Sequence, residues 1–213
     1  MKFLVTAGPT REFLDDVRFL SNPSTGRMGF ACAEAAALAG HHVVLVTGPV
    51  ELTDPAGVDV VRVTSAIEMH KAAMKAYRDA EVVIATAAVS DYRPATRAKG
   101  KIAKGPARLT LALARNPDIL AAMGAKKGAR VLIGFALEVQ QARERALAKY
   151  RAKNLDAIVL NSPETFASDS VKAVIHLMDD EIDFEGTKRE LAETLVTLAK
   201  ELADLRRIIA KKR

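Results

Sequence analysis

The chain has 213 residues, 49% of them hydrophobic, which is enough for a sizeable core in one large domain or two small ones. Its single cysteine, Cys32, excludes an internal disulfide and a cysteine-rich metal site, and no apolar run is long enough to cross a membrane. The net charge of +6 is compatible with nucleic acid, a membrane surface or small anionic substrates as partners. We expect a soluble, cytoplasmic protein with no signal peptide and no membrane partner.

Short apolar runs alternate with helical patterns along the chain. Buried strands are predicted at Lys2–Ala7, His42–Thr47, 59–63, 81–86, 131–135 and 157–160, and a seventh strand with a return at 171–178. Helices are predicted at 22–38, 65–78 and 138–153, with a final helix after the capping box at 187–190. This alternation predicts an α/β fold: one Rossmann-like domain over 1–213, with a mostly parallel sheet, helices on both faces and an antiparallel extension near the C-terminus.

The stretch 21–30, Ser-Asn-Pro-Ser-Thr-Gly-Arg-Met-Gly-Phe, joins the first strand to the first predicted helix. Free backbone N–H groups and the positive end of the helix dipole meet at such a helix start. Gly26 and Gly29 would let a ligand approach the backbone closely. The stretch therefore indicates an anion site, most simply for phosphate, although an ordinary cap on a tightly packed helix would give the same pattern.

Several common site motifs are missing from the sequence. The loop after the first strand lacks the dinucleotide fingerprint, and the second strand ends in Thr47-Gly48-Pro49 rather than in an acidic residue that could hold a ribose. The chain has no P-loop and no nucleophile elbow, and its four histidines show no ligand spacing on a shared face. These absences disfavour an NAD-dependent dehydrogenase, a P-loop enzyme and a serine hydrolase.

Polar residues follow the fourth predicted strand, at the edge where such sheets bind ligands. The small residues Ala87 and Ala88 leave room there for a substrate, and Asp91 adds a carboxylate; a helix capped by Ser90 or Asp91 is the alternative. The segment 90–106, which carries Lys101, is predicted to be a mobile basic loop and could be only a solvated surface.

Two later segments complete the candidate residues. Asn116 and Pro117 are predicted to start a short helix, with the asparagine as its cap. Lys149 and Lys153 follow the strand that ends near Phe135, and their spacing of four places them on one helix face. They could contact a phosphate or a base, or could simply solubilise the surface.

Seven segments together resemble phosphopantothenate–cysteine ligase, also called phosphopantothenoylcysteine synthetase. They are VTAGPTRE at 5–12, VRFLSN at 17–22, STGRMG at 24–29, AAVSDYRP at 87–94, NPDIL at 116–120, GFA at 134–136 and KNLD at 153–156. Their order and spacing agree with that family across nearly the whole chain. In many bacteria this ligase is the C-terminal half of a bifunctional protein that begins with a flavin-dependent decarboxylase, and we expect only the ligase half here.

The resemblance implies an enzyme of coenzyme A biosynthesis that forms a carbon–nitrogen bond. The carboxylate of 4′-phosphopantothenate attacks the α-phosphate of CTP, pyrophosphate leaves, and the amine of cysteine displaces CMP from the acyl-cytidylate. The expected cofactor is Mg²⁺ bound with CTP, for which no ligand residues are assigned. A homodimer is expected, and a separate decarboxylase is a possible partner.

The resemblance also assigns roles to individual positions. Asn22, Asp91 and Lys101 would act in catalysis, and Ala87 and Ala88 would line the phosphopantothenate site with Asn22 and Asp91. Arg18 would reach the substrate phosphate of the neighbouring subunit. The nucleotide would contact the following residues: Gly8, Ser24, Gly26, Gly29, Asp91, Lys101, Asn116, Pro117, Asp118, Ile119, Phe135, Lys149 and Lys153.

Two other classes of function fit parts of the sequence. A non-catalytic Rossmann-like module for a phosphorylated ligand would keep the helix-start anion site but would not need Asp91 or Lys101. A nucleic-acid binder would explain the basic charge but would want aromatic residues among its basic ones, and only Tyr92 and Tyr150 lie near such clusters. We therefore expect no nucleic-acid partner.

Overall fold

The computed structural model describes residues 1–105, 108–137, 141–161, 170–178 and 180–211. Its elements, in chain order, are β1 (Lys2–Ala7), β2 (Arg11–Phe13), β3 (Phe19–Ser21), α1 (Arg27–Leu38), β4 (His42–Thr47), β5 (Val58–Arg62), α2 (Ala66–Ala76), β6 (Val82–Ala85), β7 (Tyr92–Pro94), β8 (Leu113–Arg115), α3 (Ile119–Gly124), β9 (Val131–Leu137), α4 (Ala142–Ala152), β10 (Ala157–Asn161), β11 (Ser170–His176), β12 (Glu181–Thr187) and α5 (Lys188–Lys211).

The main sheet has the strand order β12-β11-β10-β9-β6-β1-β4-β5. The strands from β10 to β5 pair in parallel, whereas β11 pairs antiparallel with β10 and β12 pairs antiparallel with β11. The predicted α/β fold, with a mostly parallel sheet and an antiparallel extension near the C-terminus, is confirmed. The bounds of β1 and β4 agree with the predicted ones.

Each face of the sheet covers its own hydrophobic core. In β1, Phe3 and Val5 point to the face covered by α1 and α5, and Leu4 points to the face covered by α2, α3 and α4. This alternation is what the period of two in a strand produces. Small buried residues such as Ala33 and Ala36 let α1 lie close to the sheet.

The first helix begins later than predicted. α1 starts at Arg27 rather than at residue 22, and its N-cap is Gly26 in the left-handed region with φ of 76°. Pro23 disfavours a helical backbone at Asn22. Gly26, with its left-handed backbone, is the last non-helical residue before α1. The chain from Asn22 to Gly26 therefore forms a loop that delivers small polar residues to the helix start.

Two short antiparallel ribbons were not predicted. β2 pairs with β3, β7 pairs with β8, and β2 lies against β7. β7 lies inside the predicted basic loop, and β8 follows that loop at Leu113–Arg115. Residues 106 and 107 of that loop region lie outside the described residues.

Two helix starts also differ from prediction. Asp118, not Asn116, caps α3, and its carboxylate accepts a hydrogen bond from the Ala121 N–H at 2.9 Å. Pro117 consequently lies ahead of the helix instead of at its first position. α4 begins at Ala142, while residues 138–140 of the predicted helix lie outside the described residues.

The final helix is anchored at both ends. The predicted capping box is present, because the Thr187 N–H donates to Glu190 Oε2 at 2.7 Å and the Glu190 N–H donates to Thr187 Oγ1 at 3.2 Å. Near the other end, Arg206 donates to the carboxylate of Asp156. Asp156 also accepts from Lys127 Nζ at 2.9 Å, and both of these side chains are about nine-tenths buried.

The amino edge of the sheet is closed by contacts around the start of β1. The Lys2 N–H donates to Glu81 Oε2 at 2.9 Å, and the His42 N–H donates to the Met1 carbonyl at 3.0 Å. Arg207 from α5 also donates to Glu81. Within the ranges described above, the helices are all too short or too polar to traverse a lipid bilayer.

Candidate active site

Two adjoining cavities open at the carboxyl edge of the parallel strands. The chain leaves β1 toward β4 and later returns to β6 on the other side of β1, so the strand order reverses between β1 and β6. Ligands bind at such a switch point in open α/β sheets. The first cavity has a volume of about 680 Å³ and the second of about 480 Å³.

The first cavity brings together several of the residues predicted to contact the nucleotide. They are Asn116, Pro117, Asp118, Ile119, Phe135, Lys149 and Lys153. Lys149 Nζ donates to the Phe135 carbonyl at 2.8 Å, and Lys153 Nζ lies 2.7 Å from Asp118 Oδ2. The four-residue spacing predicted one shared helix face for the two lysines, and both of them lie on the cavity wall.

The Asp118 carboxyl is an anion held by its neighbours. Burial alone would raise its pKa, but the hydrogen bonds from Lys153 and from the Ala121 N–H outweigh burial and lower the pKa below its ordinary value of 3.8. The carboxylate therefore stays charged at neutral pH. It caps α3 and fixes the Lys153 ammonium at the cavity wall.

Asn116 links two segments that line the first cavity by hydrogen bonds. Its side-chain Nδ2 donates to the Ser90 carbonyl at 2.8 Å, and its backbone N–H donates to the Asp91 carbonyl at 2.8 Å. Its Oδ1 accepts from the guanidinium of Arg93 at 3.1 Å, a contact that sequence reasoning did not predict. Asn116 thus joins the loop after β6 to the start of α3, which explains why it is not the helix cap.

The second cavity lies over the start of α1. Its wall includes Asn22, Ser24, Gly26, Gly29, Ala87, Ala88 and Asp91. The Asn22 side-chain amide donates to the Ala88 carbonyl at 3.1 Å, so it links the stretch 21–30 to the loop after β6. The predicted substrate residues and the predicted helix-start residues therefore share one cavity.

Gly29 brings the first turn of α1 against the sheet. A Cβ atom at this position would lie 2.4 Å from Ala7 Cβ and 2.5 Å from Thr86 Oγ1, both far inside contact distance. Thr86 cannot easily move aside, because its hydroxyl donates to the Thr6 carbonyl at 2.8 Å. The close approach sets the depth of the second cavity.

The two cavities share a wall. Ala87, Val89, Asp91, Phe135 and Lys149 line both of them. The shared wall carries one carboxylate and one ammonium, at the place where a ligand in the first cavity would meet a ligand in the second. This junction is the candidate reaction centre.

Gly8 is hydrogen-bonded to the loop after β6, which contributes to the shared wall. Its φ is +71°, and its carbonyl accepts a hydrogen bond from the Ala88 N–H at 2.9 Å. Thr10 adds a second contact, because its Oγ1 accepts from the Ser90 N–H at 3.1 Å. Gly8 is absent from the lining of both cavities, and its predicted nucleotide contact stays a prediction.

The described part of the basic loop is fastened to the β2–β3 ribbon. The Gly100 N–H donates to Asp16 Oδ2 at 2.7 Å, and the Ile102 N–H donates to Asp15 Oδ2 at 3.0 Å. Lys101, between these two anchors, is exposed and lines neither cavity. The loop is anchored in this structure, and the predicted catalytic lysine is not brought to the other candidate residues.

Arg18 is part of the same anchor and also lies outside both cavities. Its Nε donates to Asp15 Oδ2 at 2.9 Å and its Nη2 donates to the Ile102 carbonyl at 2.6 Å. Burial would raise the pKa of the Asp15 carboxyl, but the hydrogen bonds from Arg18, Val17 and Ile102 hold it well below its usual range. The anchor thus depends on a carboxylate that remains ionised.

Comparisons with known proteins all indicate one family. The family described as "DNA/pantothenate metabolism flavoprotein C-terminal domain" matches residues 1–202. The coenzyme A biosynthesis bifunctional protein CoaBC of Bacillus subtilis strain 168 is 43% identical over 193 residues, which cover 88% of this chain and 46% of that protein. CoaBC of Escherichia coli K12 is 44% identical over 183 residues, or 83% of this chain and 45% of that protein.

Solved structures agree with these relatives. A crystal structure of the C-terminal domain of CoaBC is 39% identical, with a TM-score of 0.81 over 95% of this chain and 96% of that one. The DNA/pantothenate metabolism flavoprotein from Streptococcus pneumoniae has a TM-score of 0.84 over 94% of this chain and 99% of that one; at 24% identity it bears on the fold alone. The chain spans about half the length of the curated relatives that it matches.

Proposed function

The chain belongs to the DNA/pantothenate metabolism flavoprotein C-terminal domain family, and on that basis we propose that it is a phosphopantothenate–cysteine ligase. In the proposed reaction the carboxylate of 4′-phosphopantothenate attacks the α-phosphate of CTP and expels pyrophosphate. The amine of cysteine then attacks the acyl carbon of the resulting acyl-cytidylate, CMP leaves and an amide is formed. Relatives named for coenzyme A biosynthesis support this assignment.

The observation that carries the proposal is the shared wall between the two cavities. One cavity is lined by residues that the resemblance assigns to the nucleotide, and the other lies over a helix start that favours anions. A carboxylate in the second cavity would meet the α-phosphate at the wall formed in part by Asp91 and Lys149. Activation of a carboxylate by a nucleotide requires this kind of meeting point, where two anions are positioned and their charge is neutralised.

Individual residues have distinct roles in the proposal. Asn22 and the backbone near Ala87 and Ala88 orient the acyl end of phosphopantothenate, and the amide of Asn22 does so without adding charge. Lys149 compensates the charge that builds up at the α-phosphate, whereas Asp91 can accept a proton or a hydrogen bond at the same place. Lys101 acts only if the basic loop leaves its anchor or if it serves a neighbouring subunit.

Mg²⁺ fits this site as a partner of the nucleotide. No cluster of three histidine, cysteine or acidic side chains suited to a metal ion occurs among the described residues. Oxygen ligands from the triphosphate would therefore hold most of the coordination shell, with Asp91 as the protein carboxylate that faces both cavities. Bound there, the ion would neutralise phosphate charge.

A homodimer is part of the proposal. Exposed apolar side chains gather on the two ribbons, where Val17, Phe19, Leu20, Tyr92 and Leu113 are each more than one-third exposed. A second copy is the proposed occupant, because the same surface carries Arg18, which lies outside its own cavities and would serve the partner's substrate phosphate. A separate decarboxylase is a further proposed partner. The cytoplasmic location and the lack of nucleic-acid binding stay predictions.

One assay tests the proposed function directly. Pyrophosphate release is measured with phosphopantothenate and either CTP or ATP, in the presence and absence of cysteine. We expect CTP to be preferred, because polar groups at the α3 start would be left unpaired by the wrong base. A protein that binds CTP but releases no pyrophosphate would instead be a non-catalytic module, and equal turnover with ATP would contradict the nucleotide preference.

A further inference from the structure

Lys188 lines the second cavity together with the proposed catalytic residues, although sequence reasoning did not connect it with the site. It is the first residue of α5 and is half-buried. It comes to this edge because β12 runs parallel to β10, two antiparallel pairings away, and so ends at the carboxyl edge of the sheet. The antiparallel pair β11 and β12 thus places Lys188 at the edge of the sheet where the cavities open.

Helix stability does not account for a lysine at this position. A positive charge in the first turn of a helix is disfavoured by the helix dipole. The start of α5 is already capped by the reciprocal bonds between Thr187 and Glu190. The cap of α5 therefore does not depend on the charge of Lys188.

The direction of the proposed nucleotide gives the Lys188 charge a role in the second cavity. With the base at Asn116 and Ile119 in the first cavity, the α-phosphate lies at the shared wall and the rest of the triphosphate must continue into the second cavity. The charged side chains that line the second cavity, within the described residues, are Arg27, Asp91, Lys149 and Lys188. Three cations and one carboxylate suit the most highly charged part of the nucleotide.

Resting on the proposed function, we propose that Lys188 binds the β- and γ-phosphates of the nucleotide and retains the leaving pyrophosphate. Lys149 and Asp91 line both cavities and so act at the α-phosphate, whereas Lys188 lines the second cavity alone. Neutralising the leaving group favours its departure, since negative charge moves onto pyrophosphate as the phosphorus–oxygen bond breaks. Lys188 is thus a nucleotide-binding residue with an effect on the first half-reaction.

The test compares Lys188→Ala with Arg189→Ala in the full chain. Arg189 is the next residue of the same turn, is mostly exposed and pairs with Glu193 at 3.0 Å. It lines neither cavity, so the control removes the same charge from the same turn without touching the site. Affinities for CMP, CDP and CTP are measured by calorimetry, and inhibition by inorganic pyrophosphate is measured in the ligase assay.

We expect Lys188→Ala to weaken CTP binding by about tenfold or more, the scale of one charge-assisted hydrogen bond, and to leave CMP binding unchanged. The inhibition constant of pyrophosphate should rise in parallel, Lys188→Arg should restore most of both effects, and Arg189→Ala should resemble the unmodified chain. Equal loss of CMP and CTP affinity, or unaltered CTP affinity, would overturn the assignment. A raised KM for cysteine with unaltered CTP binding would also overturn the assignment and would indicate that Lys188 binds the carboxylate of the substrate cysteine. If the unmodified chain binds no CTP, both the proposed function and the inference about Lys188 fail. If the unmodified chain is an active ligase and Lys188→Ala binds CTP as well as it does, only the inference fails.

Discussion

Replacement of Gly29 by alanine should damage the site more than it damages the fold. The added Cβ would lie 2.4 Å from Ala7 Cβ and 2.5 Å from Thr86 Oγ1, whereas carbon contacts are favourable near about 3.5–4.0 Å. The start of α1 would have to move away from β1 by about 1 Å to relieve both contacts. Overpacking of this kind costs about 1–3 kcal/mol of unfolding free energy.

The same shift would widen the second cavity where the substrates must meet. A displacement of about 1 Å in a reacting group can lower turnover by about a hundredfold. We therefore expect Gly29→Ala to unfold at moderately lower urea concentration and to release pyrophosphate about a hundred times more slowly at saturating substrates. Pyrophosphate release is measured without urea, under conditions in which the variant is fully folded.

Gly40→Ala is the matched control at the other end of α1. Its Cβ would meet nothing within 4 Å, but its φ of +79° is unfavourable for alanine. The left-handed backbone should cost about 1–2 kcal/mol of stability without moving the helix start. Unchanged turnover in Gly29→Ala, or an equal loss of turnover in Gly40→Ala, would refute the link between helix position and activity.

Four further outcomes can be measured. Asp156→Ala should lower the free energy of urea unfolding by about 3–5 kcal/mol, because it leaves Lys127 buried without its partner; a loss below about 1 kcal/mol would show that the pair is dispensable. Since folding depresses the pKa of Asp118, its contribution to stability is present above its ordinary value of 3.8 and disappears as the pH falls through the folded pKa. Unfolding free energy should therefore drop less steeply in acid for Asp118→Asn than for the unmodified chain, and equal slopes would contradict this. Asn22→Asp should still consume CTP but yield little amide product by mass spectrometry, because the new carboxylate adds negative charge next to the anionic acyl-cytidylate. Normal amide yield would exclude the proposed role of Asn22. Lys101→Ala should slow pyrophosphate release by about a hundredfold or more if the loop delivers this charge to the reacting phosphates, whereas wild-type turnover would leave the loop as an anchored surface.

The arrangement of the main sheet could be predicted because its strands are continuous apolar runs. Burial on both faces gives such runs without alternation, and the glycines and prolines after them mark the carboxyl edge. The same logic located Asp91, Phe135 and the helix-start glycines at one site. It also found the pair Lys149 and Lys153, since helical spacing alone puts them on one face.

Other parts of the fold have no comparable signal in the sequence. The ribbon strands are three residues long, too short for a period to emerge, and their pairing depends on tertiary contacts. Lys188 was missed because its position follows from the return of β12 to the carboxyl edge, which only the sheet order reveals. The start of α1 was misplaced because alanine-rich propensity says little about where a left-handed glycine interrupts the backbone.

The anchoring of β1 at its first residues also determines how the chain can be attached to something else. The Met1 carbonyl and the Lys2 N–H are hydrogen-bonded at the amino edge of the sheet, and the cavities open at the opposite edge. Six residues of strand separate the two edges, a span of about 20 Å. A linker, an affinity tag or a surface tether joined ahead of Met1 would therefore depart from the side that faces away from the substrates, and immobilisation through that end should leave both cavity mouths open to solution.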